Sequence, residues 1–548
     1  VSVRRVMGAE TEFGVLEPNN PKANATVLST RVVTAYAALV RRELGATGDS
    51  VPDFDYSSEA PLQDARGFTM DRAQAHPTQL TDSAPVLTSE EIAAEALAEQ
   101  GLWEDYAARI VMNTVLPNGA RLYVDHSHPE YSSPEVMTPR DAVLYDLAGD
   151  AVAATVVKTL QDSVENTGLA PIHLYKNNTD GKSASYGSHE NYLIPRETNL
   201  DRLNSALLPF FASRQVVCGA GRVGIGQDGR TPGFQISQRA DFFERLVGLE
   251  TTVRRPIVNT RDEPHADESR YRRLHVIVGD ANLSHVSELL KFGTTSLVLR
   301  LVENKAVPAI ELYDPVAAMH TISHDPSLQA TVPLKDGGSL TGVQIQRLFL
   351  EASEELEGPS PDQDTAEILQ LWREVLDALE TDPGSLADRL DWVAKLQVLE
   401  SYRQRGNLGW TAPQLAAIDL QYHDVNPDKG LYHRLAAAGR IRTLFSADQI
   451  AAAAWAPPPD TRADFRGRLV AAFPDDVIAA GWDTAAVQFP GVRRGARMIW
   501  PEPTALTREE TRDWWAADSV EDFIRRFEHV HPEWVVASGA ATDDTSGD

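Results

Sequence analysis

The sequence predicts an α+β fold, with a large first domain over residues 1–455 and a small C-terminal domain over 456–538. Three observations predict it. Strand-like segments are interspersed with helix-length periodic ones through the first half of the chain. Residues from about 340 to 405 carry mostly helical spacing. The run Ala456-Pro457-Pro458-Pro459-Asp460 punctuates the chain after a stretch rich in alanine. A chain of 548 residues has room for such a pair at roughly 100–200 residues per domain.

In chain order, Val3 to Val15 alternates in places and ends in Phe-Gly-Val, which reads as a strand. Val33, Tyr36, Ala37, Val40 and Leu44 form one stripe and predict a helix over 32–44. Residues 45–89 are polar and broken by Pro and Gly; a connection this long inside a compact domain is either functional or disordered. Glu90 to Gln100 reads as a short helix capped by Thr88 or Ser89. Asn118-Gly119 is a hairpin signal ahead of a strand at 120–125. A helix is expected over 140–160, with strands at 171–175, 190–194 and 274–278. Cys218, in Gln-Val-Val-Cys-Gly, reads as part of a buried strand, packed rather than catalytic. A polar turn at 357–364 breaks the later helical stretch. Five of the ten tryptophans, Trp482, Trp500, Trp514, Trp515 and Trp534, fall in the C-terminal domain, and 539–548 reads as a disordered tail.

Composition bounds the function. Apolar residues make up 42% of the chain, enough for a sizeable core, and no run of about 18 apolar residues implies a membrane span. The N-terminal segment lacks the apolar stretch of a signal peptide. One cysteine cannot make an internal disulfide, so the cytoplasm is the expected location. A net charge of −28 argues against broad nucleic-acid binding. The charge is uneven: residues 201–275 hold twelve arginines, no lysine and nine acids, a local excess that suits a phosphate or carboxylate ligand.

Four constellations carry chemistry. In Met7-Gly8-Ala9-Glu10-Thr11-Glu12-Phe13-Gly14, strand alternation projects Glu10 and Glu12 from one face. Adjacent carboxylates repel unless a cation sits between them, and a hard divalent ion such as Mg²⁺ takes oxygen ligands; an exposed strand with acids facing water is the alternative. In Asn118-Gly119-Ala120-Arg121-Leu122-Tyr123-Val124-Asp125-His126-Ser127-His128-Pro129-Glu130, the same alternation aligns Arg121, Tyr123 and Asp125, with Glu130 returning after a turn. His126 and His128 read as turn residues, since they lack the spacing of a helical zinc site. Lys176-Asn177-Asn178-Thr179-Asp180 and Ser185-Tyr186-Gly187-Ser188-His189-Glu190-Asn191-Tyr192 are dense in hydrogen-bonding groups, as suits a loop for phosphate or carboxylate. The fourth, from Arg254 through Arg261 to Arg273 and His275, is a basic loop followed by a buried strand. It is the place where arginine would meet ATP phosphates. No Walker A pattern, dinucleotide fingerprint, nucleophile elbow or cysteine-rich zinc spacing occurs.

Together with Asn259-Thr260-Arg261-Asp262-Glu263-Pro264-His265-Ala266-Asp267, Leu274-His275-Val276-Ile277-Val278-Gly279-Asp280 and Leu420-Gln421-Tyr422-His423-Asp424, these strings resemble, in order and over most of the chain, the Pup ligase/depupylase family. The resemblance implies a glutamine-synthetase-like antiparallel sheet cradle flanked by helices, binding ATP (or ADP and phosphate) and Mg²⁺. It implies Glu10, Tyr123 and Glu130 as metal ligands, Glu12 and His189 as further metal candidates, and Asp125 as the catalytic carboxylate. The choice between His189 and His275 for the second metal stays open. The long connection, including Asp53 to Leu80, and Ser132-Ser133-Pro134-Glu135-Val136 look more like the depupylase branch than the ligase branch.

The depupylase resemblance implies hydrolysis of the isopeptide bond between the C-terminal glutamate side chain of Pup and a substrate lysine, and deamidation of a C-terminal glutamine of Pup. ATP would complete the site rather than be consumed at each turnover, the insertion would gate entry of the tagged lysine, and Asp125 would act as nucleophile or as base. Pup and pupylated proteins are the expected partners, with Arg214 and Arg239 of the arginine-rich stretch as candidates for Pup binding. The competing readings are a Pup–protein ligase that spends ATP stoichiometrically, a glutamate–amine ligase acting on small molecules, and an inactive Pup-binding adaptor.

Overall fold

A computed structural model describes residues 3–20, 22–48, 51–83, 87–88, 110–167, 170–180, 184–492 and 494–537. The helix expected over 90–100 and the tail at 539–548 lie outside these residues. At the centre is a six-stranded sheet: β1 (Met7–Glu12), β2 (Asn113–Val115), β3 (Arg121–Asp125), β4 (His128–Ser132), β5 (Ser188–Pro195) and β6 (Tyr271–Val276). The order is β6-β5-β1-β4-β3-β2, and every neighbouring pair is antiparallel.

The two-residue period of the strands divides the sheet into two chemistries. Met7, Ala9, Leu122, Val124, Tyr131, Tyr192 and Leu274 alternate onto one face and are buried. Helices α1 (Ala25–Glu43) and α2 (Pro139–Thr167) pack on that face, and α3 (Leu200–Cys218) and α4 (His285–Glu303) extend the same core. Asn24 starts α1 by accepting from the backbone N–H groups of Thr26 and Val27, and Tyr36, Val33 and Val40 face inward. Gly149 lets α2 lie flat on β4, because a Cβ there would sit 2.4 Å from the Tyr131 ring.

Two expectations change. The N-terminal strand ends at Glu12: Phe13 turns into the core with its N–H on the Pro129 carbonyl, and a separate strand, Gly14–Leu16, pairs with His173–Tyr175. Cys218 closes α3 rather than sitting in a strand. Val216, Val217 and Cys218 are all buried, and a helix buried on every side leaves no periodicity to read.

Strands Val477–Ala480, Thr484–Gln488, Gly495–Ile499 and Val535–Ala537 form a second sheet, which encloses Phe465, Trp500, Phe523 and Phe527 in a second core. Part of the insertion belongs to it. Asp53–Phe54 adds a parallel edge strand to Val477–Ala480, and Phe54 enters the second core. The rest of 51–83 turns back over the central sheet through short 3₁₀ turns and a small hairpin, Gln63–Asp64 with Phe68–Thr69. Glu135 fastens the two cores together, since Arg462 Nε donates to it at 2.7 Å and Arg466 pairs with its other oxygen. Among the described residues no helix is long and apolar enough to cross a membrane.

Candidate active site

The polar face of the sheet gathers the acidic motifs. In the register, Glu10 stands opposite His189 and Ser132, Glu12 opposite Glu130, Tyr123 opposite Glu130, and Asp125 opposite His128. β6 adds Arg273 and His275, the latter opposite Asn191. Side chains more than a hundred residues apart in sequence therefore share one surface because each occupies the same parity of its strand.

Two groups on this face have ligand atoms within 4.8 Å of one another: Glu10, His189 and His275, and Glu12, Asp125 and Glu130. Glu10 accepts from Asn191 Nδ2 at 2.8 Å and lies 3.1 Å from His189 Nδ1 and 3.5 Å from His275 Nε2. Burial opposes its ionisation, but the two imidazoles outweigh that and hold its pKa well below the usual carboxylate value. Glu12 accepts from the Gly187 N–H at 2.8 Å and has His128 Nδ1 at 3.3 Å; burial is again overcome and the carboxyl stays acidic. Glu130 has no such support. Burial, together with Asp125, Glu12 and Glu10, pushes its pKa well up.

This imbalance is what a divalent cation corrects. Four carboxylates and the Tyr123 hydroxyl converge on a partly buried face, where buried Glu130 ionises only if positive charge is added. His275 supplies an independent sign. It is buried and held neutral, its pKa driven by burial to about 3; its Nδ1 makes no hydrogen bond, and its Nε2 has only the long 3.5 Å contact with Glu10. A buried imidazole this weakly paired is costly unless it binds a metal or a ligand. The donor set of carboxylates, a tyrosine and imidazoles thus fits one or two hard cations. A third group, Glu59, Glu263 and His265, is different: Arg261 lies 2.6 Å from Glu263 and 3.8 Å from Glu59, and Arg273 lies 3.4 Å from Glu263, so arginine already neutralises Glu263.

Arg261, Arg273 and His275 line the cavity above this face with Glu10, Tyr123, Asp125, Glu130 and His189. Arg254 does not. It is exposed, with φ of 50°, and its neighbour Arg255 turns inward to donate to the carbonyls of Ser185 at 2.6 Å and Thr251 at 2.9 Å. Arg214 is removed as a Pup contact: its guanidinium is fully buried and bidentate to Glu190, with both distances 2.7 Å. Arg239 is also buried, donating to the Ile277 carbonyl at 2.7 Å. Unlike Arg214 it forms no ion pair among the described residues, nor does Arg255. Burial followed by the Arg255 charge lowers Arg239 to about 9, so an anion here would relieve both guanidiniums. The arginine-rich stretch is therefore not an open basic surface, since Arg214, Arg222, Arg239, Arg255 and Arg272 all point into the protein.

Four participants were given no role in the sequence reading, although it placed Arg121 on the face of Tyr123 and Asp125. Asn191 holds Glu10; its place two residues after His189 on a strand was the available signal. Arg121 lies between Phe54 of the insertion and Tyr123, 3.7 and 3.8 Å from the two ring centroids. His126, read as a turn residue, has Nδ1 2.6 Å from Asp125 Oδ2. Trp482 lines both the acidic cavity and an adjoining, more apolar one with Leu193, Pro264 and Pro503; nothing in its local sequence marks it.

The chain is similar to known proteins over most of its length. The family model described as Pup-ligase protein matches residues 5–486. The depupylase of Acidothermus cellulolyticus is 48% identical over 516 residues, covering 93% of this chain and 96% of that protein. The Pup deamidase/depupylase of Mycobacterium tuberculosis is 48% identical over 495 residues, 89% of this chain and 92% of its own. The Pup–protein ligase of Micrococcus luteus is 45% identical over 371 residues, covering 66% of this chain and 79% of that one. Among solved structures, the complex of Pup with its ligase PafA superposes with a TM-score of 0.73 at 29% identity, over 96% of this chain and 95% of that one. PafA in complex with ADP gives 0.68 at 33% identity, over 82% and 97%.

Proposed function

The chain belongs to the Pup-ligase protein family, and from that premise we propose that it is a depupylase and Pup deamidase that uses ATP and Mg²⁺ as cofactors in the cytoplasm. The observation that carries the reading is the partly buried four-carboxylate face, with Asp125 at the end nearest the insertion. The depupylase-named relatives match over nearly the whole chain, the ligase-named one over two thirds of it.

The residues divide the work. Glu10, Glu12, Tyr123, Glu130, His189 and His275 are the candidate metal ligands; Mg²⁺ bound there would neutralise the carboxylates and polarise oxygen atoms of the reacting groups. The apolar cavity beside Trp482 suits a nucleotide base, and Arg273, which lines both cavities, together with Arg261 in the acidic one suits phosphates. Arg239 and Arg255 suit a carboxylate or phosphate on the Glu12 side. Asp125 faces the isopeptide carbonyl, as nucleophile or as base for water. The overall change adds water across the C–N bond and leaves the glutamate side-chain carboxylate of Pup and a lysine ammonium. The same addition to a C-terminal glutamine releases ammonia.

Asp125→Asn keeps the shape and removes the charge. It is expected to lower release of Pup from a purified conjugate at least a hundred-fold while nucleotide binding, followed by calorimetry, stays within a few-fold of the parent. Cleavage at the parent rate would remove Asp125 from the mechanism.

A further inference from the structure

We propose that His126 is a positioning residue that ties residues 71–83 of the insertion to Asp125. The inference rests on the depupylase reading for its activity readout, but its structural half stands without it.

The turn between β3 and β4 is two residues long, because Asp125 pairs with His128. Its residues, His126 and Ser127, have φ of 45° and 82°. Two-residue hairpin turns demand such left-handed conformations and are ordinarily met by Asn-Gly. Side chains with a full Cβ adopt them under strain, and strain of this kind persists where the surroundings enforce it. Here the first turn of α1 enforces it: Thr26 Oγ1 is 2.7 Å from Ser127 Oγ, and Ser29 Oγ donates to the Ser127 carbonyl at 2.8 Å.

The strained turn aims one ring at two partners. His126 Nδ1 lies 2.6 Å from Asp125 Oδ2, and Nε2 lies 3.0 Å from the carbonyl oxygen of Thr78. A carboxylate and a carbonyl only accept, so both ring nitrogens must donate and the bridge is an imidazolium. The ring fixes one oxygen of Asp125 and leaves the other for the reaction.

On the far side, Thr78 belongs to the short turn Pro77–Gln79. Its hydroxyl bonds Thr252 and sits 2.7 Å from His76 Nδ1, while Arg261 donates to Thr81 at 3.0 Å. Thr78, Leu80, Thr81 and Ser83 line the cavity that holds Asp125. Among the described residues, the insertion thereby forms a wall of the site and is connected to its reacting carboxylate through His126. A change in the insertion reaches Asp125 through His126, and an ordered Asp125 in turn holds the insertion in place.

The test is His126→Asn in the full-length protein. Asparagine tolerates left-handed backbone, so the turn is relieved and the fold kept, but an amide this short cannot span Asp125 and Thr78. We expect an unchanged or raised melting temperature, a kcat for conjugate cleavage at least ten-fold lower, and unchanged nucleotide affinity. The amides of Gln74, Ala75, Gln79 and Leu80, which donate to Asp71, Asp71, His76 and Pro77, should exchange with solvent at least ten-fold faster. Thr78→Val, which removes the two hydroxyl bonds, should lower kcat in the parent and have no further effect in the His126→Asn background. A kcat within two-fold of the parent, unchanged exchange of these amides, or multiplicative effects of the two substitutions would overturn the proposal. If the parent protein itself releases no Pup, the depupylase reading fails, and the exchange measurement still decides whether His126 holds the insertion.

Discussion

Replacing Glu135 by glutamine should loosen the C-terminal core from the central sheet. Glu135 is buried between the two, with Arg462 on one oxygen and Arg466 on the other, and Arg466 also donates to the carbonyls of Gly119 and Trp482. Burial disfavours the charged carboxyl, yet the two guanidiniums outweigh it and lower its pKa from 4.5 to about 2. A shift of that size corresponds to about 3 kcal/mol, on the scale of about 1.36 kcal/mol per pKa unit. The side chain is 11% exposed, so solvent screening takes little from this figure. Because the folded value lies below the unfolded one, the contribution is fully present above pH 4.5 and is lost as pH falls toward 2. Removing the charge also strands two buried arginines, so a cost of roughly 3–5 kcal/mol is expected at pH 7. The assay is urea unfolding followed by tryptophan fluorescence. The signal is well placed, since Trp482 packs under Arg466, 5.1 Å from its guanidinium, and Trp500 lies in the second core. The gap between parent and Glu135→Gln should be about 3 kcal/mol or more at pH 7 and should shrink between pH 4.5 and 2. A gap under 1 kcal/mol at pH 7, or one that does not change with acid, would refute the reasoning.

Three further outcomes are expected. Gly187→Ala places a Cβ 2.4 Å from His189 Nε2 and 2.6 Å from Glu12 Oε1; it should displace both and lower cleavage at least ten-fold with a near-parent circular dichroism spectrum. Trp482→Ala should weaken nucleotide binding by about ten-fold, in line with the ~1–3 kcal/mol of base–aromatic stacking, and calorimetry would show it. Burial first, and then the neighbouring Glu263 carboxylate, raise the Glu59 pKa from 4.5 to about 8. Its contribution to stability is therefore present below pH 4.5 and lost as pH rises through 8, and Glu59→Gln should flatten the fall in melting temperature over that window.

The parts of this site that were legible in the sequence are those that strand alternation determines. Glu10 with Glu12, and Tyr123 with Asp125, follow from a period of two within a single segment, and the structure places all four on one face. What alternation cannot supply is which strands are neighbours, so the approach of His275 to Glu10 and of Glu130 to Glu12 had no local signature. The arginines misled for a related reason. Twelve guanidiniums in one stretch suggest a basic surface, but Arg214 is matched to Glu190, a carboxylate from another segment, and Arg272 to Asp262 ten residues before it on the preceding loop. The insertion was visible as a long polar connection, yet the way it joins the second core, through a two-residue edge strand at Asp53–Phe54, is too short for any pattern. His126 was hidden by its position, since a histidine in a turn carries no mark of the side chains that the turn will face.

The most direct test of the central claim is to incubate the purified protein with a Pup–substrate conjugate, ATP and Mg²⁺ and to follow free Pup and ADP together. The acidic face with Asp125 beside the insertion predicts release of Pup in large excess over the ADP formed. No release from the conjugate, with new conjugates appearing and ADP matched to them when free Pup and a protein acceptor are supplied, would make the chain a ligase and contradict it.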